Sequence, residues 1–308
     1  MINRILIRLK IVQLVYAFYL NGNTNLEKAV KELNFSLSKA YELYNYLLLL
    51  MVAVTQYAVE RVVKKEKMNL VTHNNEVISH KFIDNRFVIQ LEQNETLKEY
   101  VEDKHLNWDG NEDYLKYLYE QIVESDFYKE YMTSTTSSYK EDRELWRKIY
   151  KNIIAKDERL DDLLEEKSLY WNDDRATVDT FVLKSIKRFE EREKSQQELL
   201  PDFKDEEDRE YAERLFRNSI LKEEEYRSLI RQNVKNWEFE RLAFMDVVIM
   251  QVALAELMSF PNIPLSVTIN EYVEIAKCYS TPKSGSYVNG ILDAVAKKLQ
   301  KEKKIFKS

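Results

Sequence analysis

The sequence predicts an all-α protein built as a helical bundle, and three observations lead to that fold class. Only four glycines and four prolines occur among 308 residues, whereas these two types together make up roughly 12% of an average protein. Because both residues mark turns and break helices, their scarcity indicates long helices with few tight turns. Apolar residues form 44% of the chain and recur every three or four positions, which allows a sizeable helical core. No repeat of fixed period is visible, so a bundle is favoured over a solenoid.

The first helix is predicted over residues 3–20. Ile5, Leu9 and Val12 follow a three-to-four residue step, which is the spacing of one helical face. Gly22 follows as the natural left-handed residue just past the end of this helix, because glycine adopts that backbone conformation without strain.

Beyond Gly22 the sequence predicts a short second helix capped near Thr24 and a third that starts at Ser36 or Ser38. The third helix extends through the apolar run 47–54 towards residue 65. This run is shorter than the about 20 apolar residues that a bilayer requires, so we expect a buried core helix and no membrane contact. With no secretory leader visible and a single cysteine, the cytoplasm is the expected compartment.

The middle of the chain is less regular. Asparagines interrupt residues 66–110, and residues 80–93 fit either a short helix or a strand-like piece. Further helices are predicted over residues 112–132, 141–169, 177–193, 208–220, 223–233, 240–259, 267–276 and 286–300. The expected organisation is an N-terminal part of the core (1–60), a helical insertion (61–200) and a C-terminal part of the core (201–308).

Charge and residue content exclude several classes of function. The net charge is −6, which argues against non-specific coating of nucleic acid, although both ends of the sequence are basic and leave a local polyanion site open. The isolated glycines cannot form a phosphate-binding loop. His73, His80 and His105 have no cysteine at metal-ligand spacing. We therefore expect no metal, no cofactor and no enzymatic activity.

The most informative stretch lies in the last third of the chain, where polar residues interrupt helix-period apolar positions. It contains Ile269-Asn270-Glu271, then Val273-Glu274-Ile275-Ala276-Lys277, then Tyr287-Val288-Asn289-Gly290-Ile291-Leu292-Asp293. These motifs resemble the NusB family of bacterial transcription antitermination factors. The resemblance also includes Tyr211-Ala212, Trp237, Arg241, Asp246, Ile249, Ala253, Glu256-Leu257 and Pro264, and, in the first helix, Arg8, Gln13 and Tyr16. Gln251 departs from the family, which has an arginine there, and Lys283 replaces a common acidic residue.

The resemblance implies an all-helical protein that binds RNA together with the ribosomal protein NusE. The expected ligand is a boxA-like single-stranded element of nascent ribosomal RNA, held near the RNA polymerase elongation complex so that termination is suppressed. Cations on an exposed face of the first helix and the loop before Tyr287 suit phosphates and a stacked base. The RNA-binding candidates are Arg4, Arg8, Lys10, Lys283, Ser284 and Tyr287. The candidates for partner binding are Tyr16, Glu240 and Asp246.

Simpler roles remain open for several of these residues. Tyr287 fits a core ring as well as a stacking platform, and Asn270 and Asn289 fit helix caps or backbone ties better than base contacts. Two other functions also remain open. One is a helical protein-interaction scaffold that has lost RNA binding, and the other is the RNA-binding module of a methyltransferase, which the lack of a glycine-rich cofactor loop disfavours.

Overall fold

The computed structural model describes residues 2–73, 77–203, 205–234 and 242–306, and within them the protein is all-α, as predicted. The described α-helices are α1 (Arg4–Leu20), α2 (Leu26–Thr72), α3 (Arg86–Glu92), α4 (Glu95–Lys104), α5 (Glu112–Glu124), α6 (Asp126–Thr133), α7 (Tyr139–Asn152), α8 (Glu158–Lys167), α9 (Arg175–Arg188), α10 (Glu206–Leu221), α11 (Glu223–Asn233), α12 (Phe244–Ser259), α13 (Leu265–Tyr279) and α14 (Ser284–Lys301). Short 3₁₀ turns cover Ile154–Lys156 and Glu191–Gln196.

The chain divides into two compact units. The terminal unit contains residues 2–38 and 202–308, and the central unit contains residues 39–201. The first division therefore falls earlier than the boundary predicted after residue 60, whereas the second falls next to the boundary predicted after residue 200. Helix α2 contributes its first turns to the terminal unit and the remainder to the central unit.

The terminal unit is organised around α12. Every residue of this helix from Asp246 to Leu257 is buried, as expected of a helix that is apolar on all sides and lies inside a domain. Helices α10, α11, α13, α14 and α1 pack against it. Helix α13 also packs against α14, to which a loop of four residues, 280–283, joins it.

The ends of α1 confirm the prediction for this helix. The Asn3 side chain accepts a hydrogen bond from the Leu6 backbone N–H at 3.0 Å, which caps the first turn. At the other end Gly22 has a φ of +57°. Its N–H donates to the Tyr19 carbonyl and the next N–H donates to the Phe18 carbonyl, so the last carbonyls of α1 are satisfied by a Schellman motif.

Helix α2 is a single element of 47 residues, and the prediction of two helices with a break near residue 36 was wrong. Ser38 lies inside this helix, where its hydroxyl donates a hydrogen bond to the Phe35 carbonyl at 2.7 Å. This bond to the preceding turn lets a serine that was predicted to cap a helix lie within one. Among the described helices, α2 alone is long and apolar enough to cross a membrane, and half of its most apolar window is buried inside the protein. The run 47–54 is largely buried, as predicted for a core helix.

In the central unit two predicted long helices are broken by capping residues. Residues 112–132 form α5 and α6, because Ser125 is extended at ψ 142°. Residues 141–169 contain α7, a 3₁₀ turn and α8, and Asp157 caps α8 by accepting from the Arg159 N–H at 3.1 Å. Residues 80–93, whose sequence fits either a short helix or a strand-like piece, include the helix α3, capped by Asn85.

Stacked aromatic rings fill the core of the central unit. The Tyr46 ring lies 4.3 Å from the Trp108 ring and 5.3 Å from the Trp171 ring, measured between centroids. The indole N–H of Trp108 donates to the Tyr46 carbonyl at 3.3 Å, so this ring is fixed by a hydrogen bond as well as by stacking.

Candidate nucleic-acid interface

A buried ion pair joins α1 to α12 at the centre of the terminal unit. The Arg8 guanidinium donates from Nε to Glu256 Oε2 at 2.8 Å and from Nη2 to Oε1 at 3.0 Å. Both side chains are almost completely buried. This two-point geometry is the strongest arrangement available to an arginine and a carboxylate, so it fixes α1 on α12.

Three hydroxyl groups also donate hydrogen bonds to the Glu256 carboxylate. Thr268 donates to Oε1 at 2.7 Å, Tyr272 donates to Oε2 at 3.1 Å, and Tyr211 also donates to Oε2. A buried carboxylate is tolerated only when its lone pairs are satisfied in this way. Four helices, α1, α10, α12 and α13, therefore meet at one carboxylate.

The ionisation of this cluster follows from its contacts. Burial raises the pKa of Glu256, but the hydrogen bonds and charge of Arg8, together with the hydroxyl donors, outweigh burial and hold the pKa below its ordinary value. Burial and the neighbouring carboxylate raise the pKa of both Tyr211 and Tyr272 well above 10. The cluster is thus a charged pair surrounded by neutral phenols at physiological pH.

The prediction that Arg8 and Lys10 lie on an exposed face of α1 was wrong. Only 3% of Arg8 and 4% of Lys10 is exposed. Arg4 is half-buried and pairs with Glu207 at 2.7 Å and Asp208 at 2.9 Å. Helix α1 therefore directs its cations mainly towards acids of its own unit, and in this state Arg8 has no surface from which to reach a phosphate.

A second buried polar contact lies at the start of α14. The Ser284 hydroxyl, 1% exposed, donates to Asp246 Oδ2 at 2.8 Å. The Thr281 N–H donates to the Ser284 hydroxyl at 3.1 Å. The sequence predicts that Ser284 contacts RNA and that Asp246 faces a partner, which requires both side chains to be exposed. That exposure was predicted wrongly, because the two side chains are buried and hydrogen-bonded to each other. Their hydrogen bond fixes the loop between α13 and α14.

Lys283 and Tyr287, the other two candidates from this loop, do reach the surface. Lys283 is exposed and has no ion pair with any described residue. Tyr287 is half-buried, and its hydroxyl is buried without a hydrogen-bond partner among the described residues. Burial, and secondly the charge of Asp246, raises the pKa of Tyr287. One part of the Tyr287 side chain is therefore accessible while its hydroxyl end points inward.

Residues that the sequence assigned to packing prove to be exposed. Asn270, Asn289 and Gly290 are all exposed, and neither asparagine side chain makes a hydrogen bond to a described residue. A methyl group added at Gly290 would meet no atom within 4 Å, whereas one at Gly285 would meet Lys277 Cγ at 2.7 Å. Gly285 is thus required for close packing of α14 on α13, but Gly290 is not, and the prediction that Asn270 and Asn289 act as caps or ties was wrong.

Ser286, which is not among the RNA-binding residues predicted from the sequence, is also exposed. Lys283, Ser286 and Asn289 follow one another at three-residue steps, so they lie on one side of the first turns of α14. That spacing was visible in the sequence. We call this side, with Gly290, the α14 polar face.

The remaining predicted partner-binding residues, Glu240 and Tyr16, differ in what the structure shows of them. Glu240, like the motif residues Trp237 and Arg241, lies outside the described residues. Tyr16 is half-buried, and its ring packs 5.3 Å from that of Phe244. Tyr19 joins the same cluster at 6.2 Å from Phe244. Gln251, the departure from the family, donates to the Tyr19 hydroxyl at 2.8 Å. Tyr16 therefore belongs to an aromatic patch that is partly accessible.

Within the described residues, no group of three or more histidine, cysteine, aspartate or glutamate side chains is placed to hold a metal ion. The His80 Nε2 atom lies 2.7 Å from Glu66 Oε1 in an exposed pair.

Comparison with known proteins finds relatives of the C-terminal part of the chain. The NusB family model matches residues 180–297. The chain is 42% identical over 87 residues to the transcription antitermination protein NusB of Salinibacter ruber, a match covering 28% of this chain and 54% of the relative. It is 42% identical over 100 residues to that of Koribacter versatilis, covering 32% and 68% respectively. The chain thus spans about half to two thirds of the length of these relatives.

A solved structure of NusB from T. maritima shares 32% sequence identity with the chain. The match covers 40% of this chain and 78% of that one, with a TM-score of 0.31.

Proposed function

The chain belongs to the NusB family, and on that premise we propose that it is an RNA-binding transcription antitermination factor. It binds a boxA-like single-stranded element of nascent ribosomal RNA together with NusE, and it holds that element near the RNA polymerase elongation complex. The work is done by binding alone, in the cytoplasm, without covalent chemistry.

One observation carries this proposal: the α14 polar face is exposed and has no role in packing. Lys283, Ser286 and Asn289 provide an ammonium group, a hydroxyl and an amide on consecutive turns. Gly290 leaves the backbone beside them uncovered. Single-stranded RNA is recognised by this combination of phosphate contacts, edge hydrogen bonds and close backbone approach.

The face also lies at a favourable electrostatic position. Helix α14 begins at Ser284 and has 18 residues, and the N-terminus of a helix carries partial positive charge with unpaired N–H groups. Lys283 adds a full charge at the same place. This local concentration suits a phosphate although the chain as a whole has a net charge of −6.

The buried candidates support the face rather than contact the ligand. Ser284 holds the loop before α14 through Asp246, and Arg8 holds α1 on α12 through Glu256. Tyr287 offers its accessible ring portion for stacking, a contact worth about 1–3 kcal/mol per base. We assign the direct RNA contacts to Lys283, Tyr287 and the α14 polar face, with Arg4 secondary because its charge is already paired.

The aromatic patch of Tyr16, Tyr19 and Phe244 is the proposed surface for NusE. Aromatic rings that are partly accessible are enriched at protein interfaces. Arg227 lies over the Tyr19 ring at 4.6 Å, which adds a cation of the kind that anchors interfaces.

The test is fluorescence anisotropy with labelled boxA-like RNA, with and without purified NusE, over a series of salt concentrations. Lys283→Ala should weaken binding and reduce the slope of log affinity against log salt by about 1, because one phosphate contact is lost. Asn289→Ala should weaken binding without changing that slope. Lys184→Ala, an exposed lysine on α9, is the matched control and should change neither.

Unchanged RNA affinity in both α14 variants would refute the assignment of this face. NusE binding with no measurable RNA affinity in the unsubstituted protein would instead favour a protein-interaction scaffold that has lost RNA binding.

A further inference from the structure

Exposed apolar residues are concentrated in one segment of the central unit. Nearly half of the large apolar side chains that are exposed in the described chain lie within residues 59–77. They are Val59, Val63, Met68, Leu70, Val71 and Val77. All but the last belong to the C-terminal part of α2, residues 59–72, which we call the α2 arm. A concentration of exposed apolar side chains in one segment marks a candidate interaction site.

The α2 arm borders a groove with a volume of about 810 Å³. One wall is formed by the arm, including Arg61, Lys64 and Met68, and the other by α5, including Tyr119, Glu120, Val123 and Glu124. Glu120 and Glu124 are exposed and make no ion pair with any described residue. The groove is therefore an open channel whose far wall carries apolar surface and two unpaired carboxylates.

A second cavity, of about 480 Å³, lies on the opposite side of α2. It is lined by Val52 and Val59 of α2 and by Val88 and Ile89 of α3. Val59, Val63 and Leu70 are spaced by four and seven residues, so they form one stripe on this side of the arm. Free space thus lies along one side of the arm, and on the other side it reaches the start of the arm at Val59.

Two unpaired cations accompany the stripe. Lys67 follows Val63 by four residues, and Lys64 precedes Lys67 by three, so both lie along one border of the stripe. They are exposed, and neither forms an ion pair with a described residue. The arm therefore carries an apolar stripe with two cations, and α5 carries apolar residues with two carboxylates.

We propose that this face of the central unit is the interface of a homodimer. The α2 arm of each copy lies antiparallel in the groove of the other. Its stripe packs on Tyr119 and Val123 of the other copy, and its Lys64 and Lys67 pair with Glu120 and Glu124. A two-fold dimer requires a self-complementary patch, and here one chain supplies both halves of each contact. The groove carries Glu60, Glu120 and Glu124 as well as Arg61, Lys64 and Lys65, and such a mixed lining suits a protein surface better than RNA, which requires a predominantly cationic one.

The proposal is tested by sedimentation velocity on the full chain over a range of concentrations. The unsubstituted protein should dimerise as its concentration rises. Lys64→Glu/Lys67→Glu and Glu120→Lys/Glu124→Lys should each raise the dimer dissociation constant at least about tenfold, because each variant places like charges opposite one another. An equimolar mixture of the two variants should restore the dimer, because every pair is again of opposite charge.

Matched charge reversals at exposed positions away from the groove should leave the dimer intact. Lys184→Glu/Lys187→Glu, on α9 with the same three-residue spacing as Lys64 and Lys67, controls for the first variant, and Glu99→Lys/Glu102→Lys controls for the second. A protein that stays monomeric to its solubility limit would overturn the proposal. So would a dimer that neither reversal weakens, or a mixture that stays monomeric when each variant alone is folded by circular dichroism. Protection of the arm from hydrogen exchange only on adding RNA or another protein would assign the groove to that occupant instead.

Discussion

Removing Arg8 from the buried ion pair should be among the most damaging single changes to the terminal unit. In Arg8→Met the hydrocarbon volume is largely retained, but Glu256 loses its two charge-assisted hydrogen bonds to the guanidinium, while the hydroxyl donors remain. The carboxylate is fully buried. A buried charge left without its partner costs about 3–5 kcal/mol, and that is the loss of unfolding free energy that we expect at neutral pH.

The pH dependence separates an electrostatic cause from a simple packing defect. In the unsubstituted protein the pKa of Glu256 is lowered, so its contribution to stability is present above the unfolded pKa and is lost as pH falls through the folded pKa. In Arg8→Met burial acts without the arginine and the pKa should rise above its ordinary value. That variant should then be relatively more stable in acid, so the difference between the two proteins should grow as pH is raised from 4 to 7.

The assay is urea denaturation followed by circular dichroism at several pH values. Hydrogen exchange of α12 peptides assigns the loss to the terminal unit. Arg4→Met is the control, because the Arg4 guanidinium and its partner Glu207 are accessible to solvent, and the loss should be smaller, about 1 kcal/mol or less. A loss below about 1 kcal/mol in Arg8→Met, or a loss that does not vary with pH, would refute the reasoning.

Three further predictions concern the same unit. Ser284→Ala removes the hydrogen-bond donor to buried Asp246 and should lower the unfolding free energy by about 1–3 kcal/mol in urea denaturation. Burial raises the pKa of Tyr211 and Tyr272 above the value of 10 that they have in the unfolded chain. Their contribution to the stability of the fold is therefore complete below pH 10 and should decline as pH rises above it. Thermal melts in alkaline buffers will measure this decline. Gly290→Ala fills open space in a helix and should stabilise the protein by about 0.5–1 kcal/mol, yet weaken RNA binding in the anisotropy assay if the proposed face is correct.

The sequence specified the helical class and those helix ends that depend on neighbouring residues. Gly22 acts as predicted, and α1 begins beside the predicted residue 3, where Asn3 is the cap, because a cap and a left-handed turn are decided within a few positions along the chain. Ser38 shows the limit of that reasoning. A serine can cap a helix or bond to the preceding turn within one, and the choice depends on packing that the local sequence does not contain.

The candidate site shows the same limit at longer range. Arg8 was placed on a solvent face because an arginine near polar positions is ordinarily solvated, but its partner Glu256 is 248 residues away. Ser284 and Asp246, 38 residues apart, were assigned to two different ligands although they bond to each other. Conversely, the exposure of Asn289 could not be predicted from its motif, because a motif does not distinguish residues that stabilise the fold from residues that lie exposed on its surface.

The separation between Arg8 and Glu256 also has a consequence for the order in which the protein is made. At about 5–20 residues per second, the ribosome adds the 248 intervening residues in roughly 12–50 s. During that interval α1 has emerged without the carboxylate that later neutralises it, while the continuous stretch 39–201 is completed and free to fold. The nascent chain therefore carries a largely apolar helix with three cations, Arg4, Arg8 and Lys10, that lacks its packing partners until α12 and α13 are synthesised. Slowing translation between α9 and α12 should lengthen the exposure of this helix to chaperones and proteases.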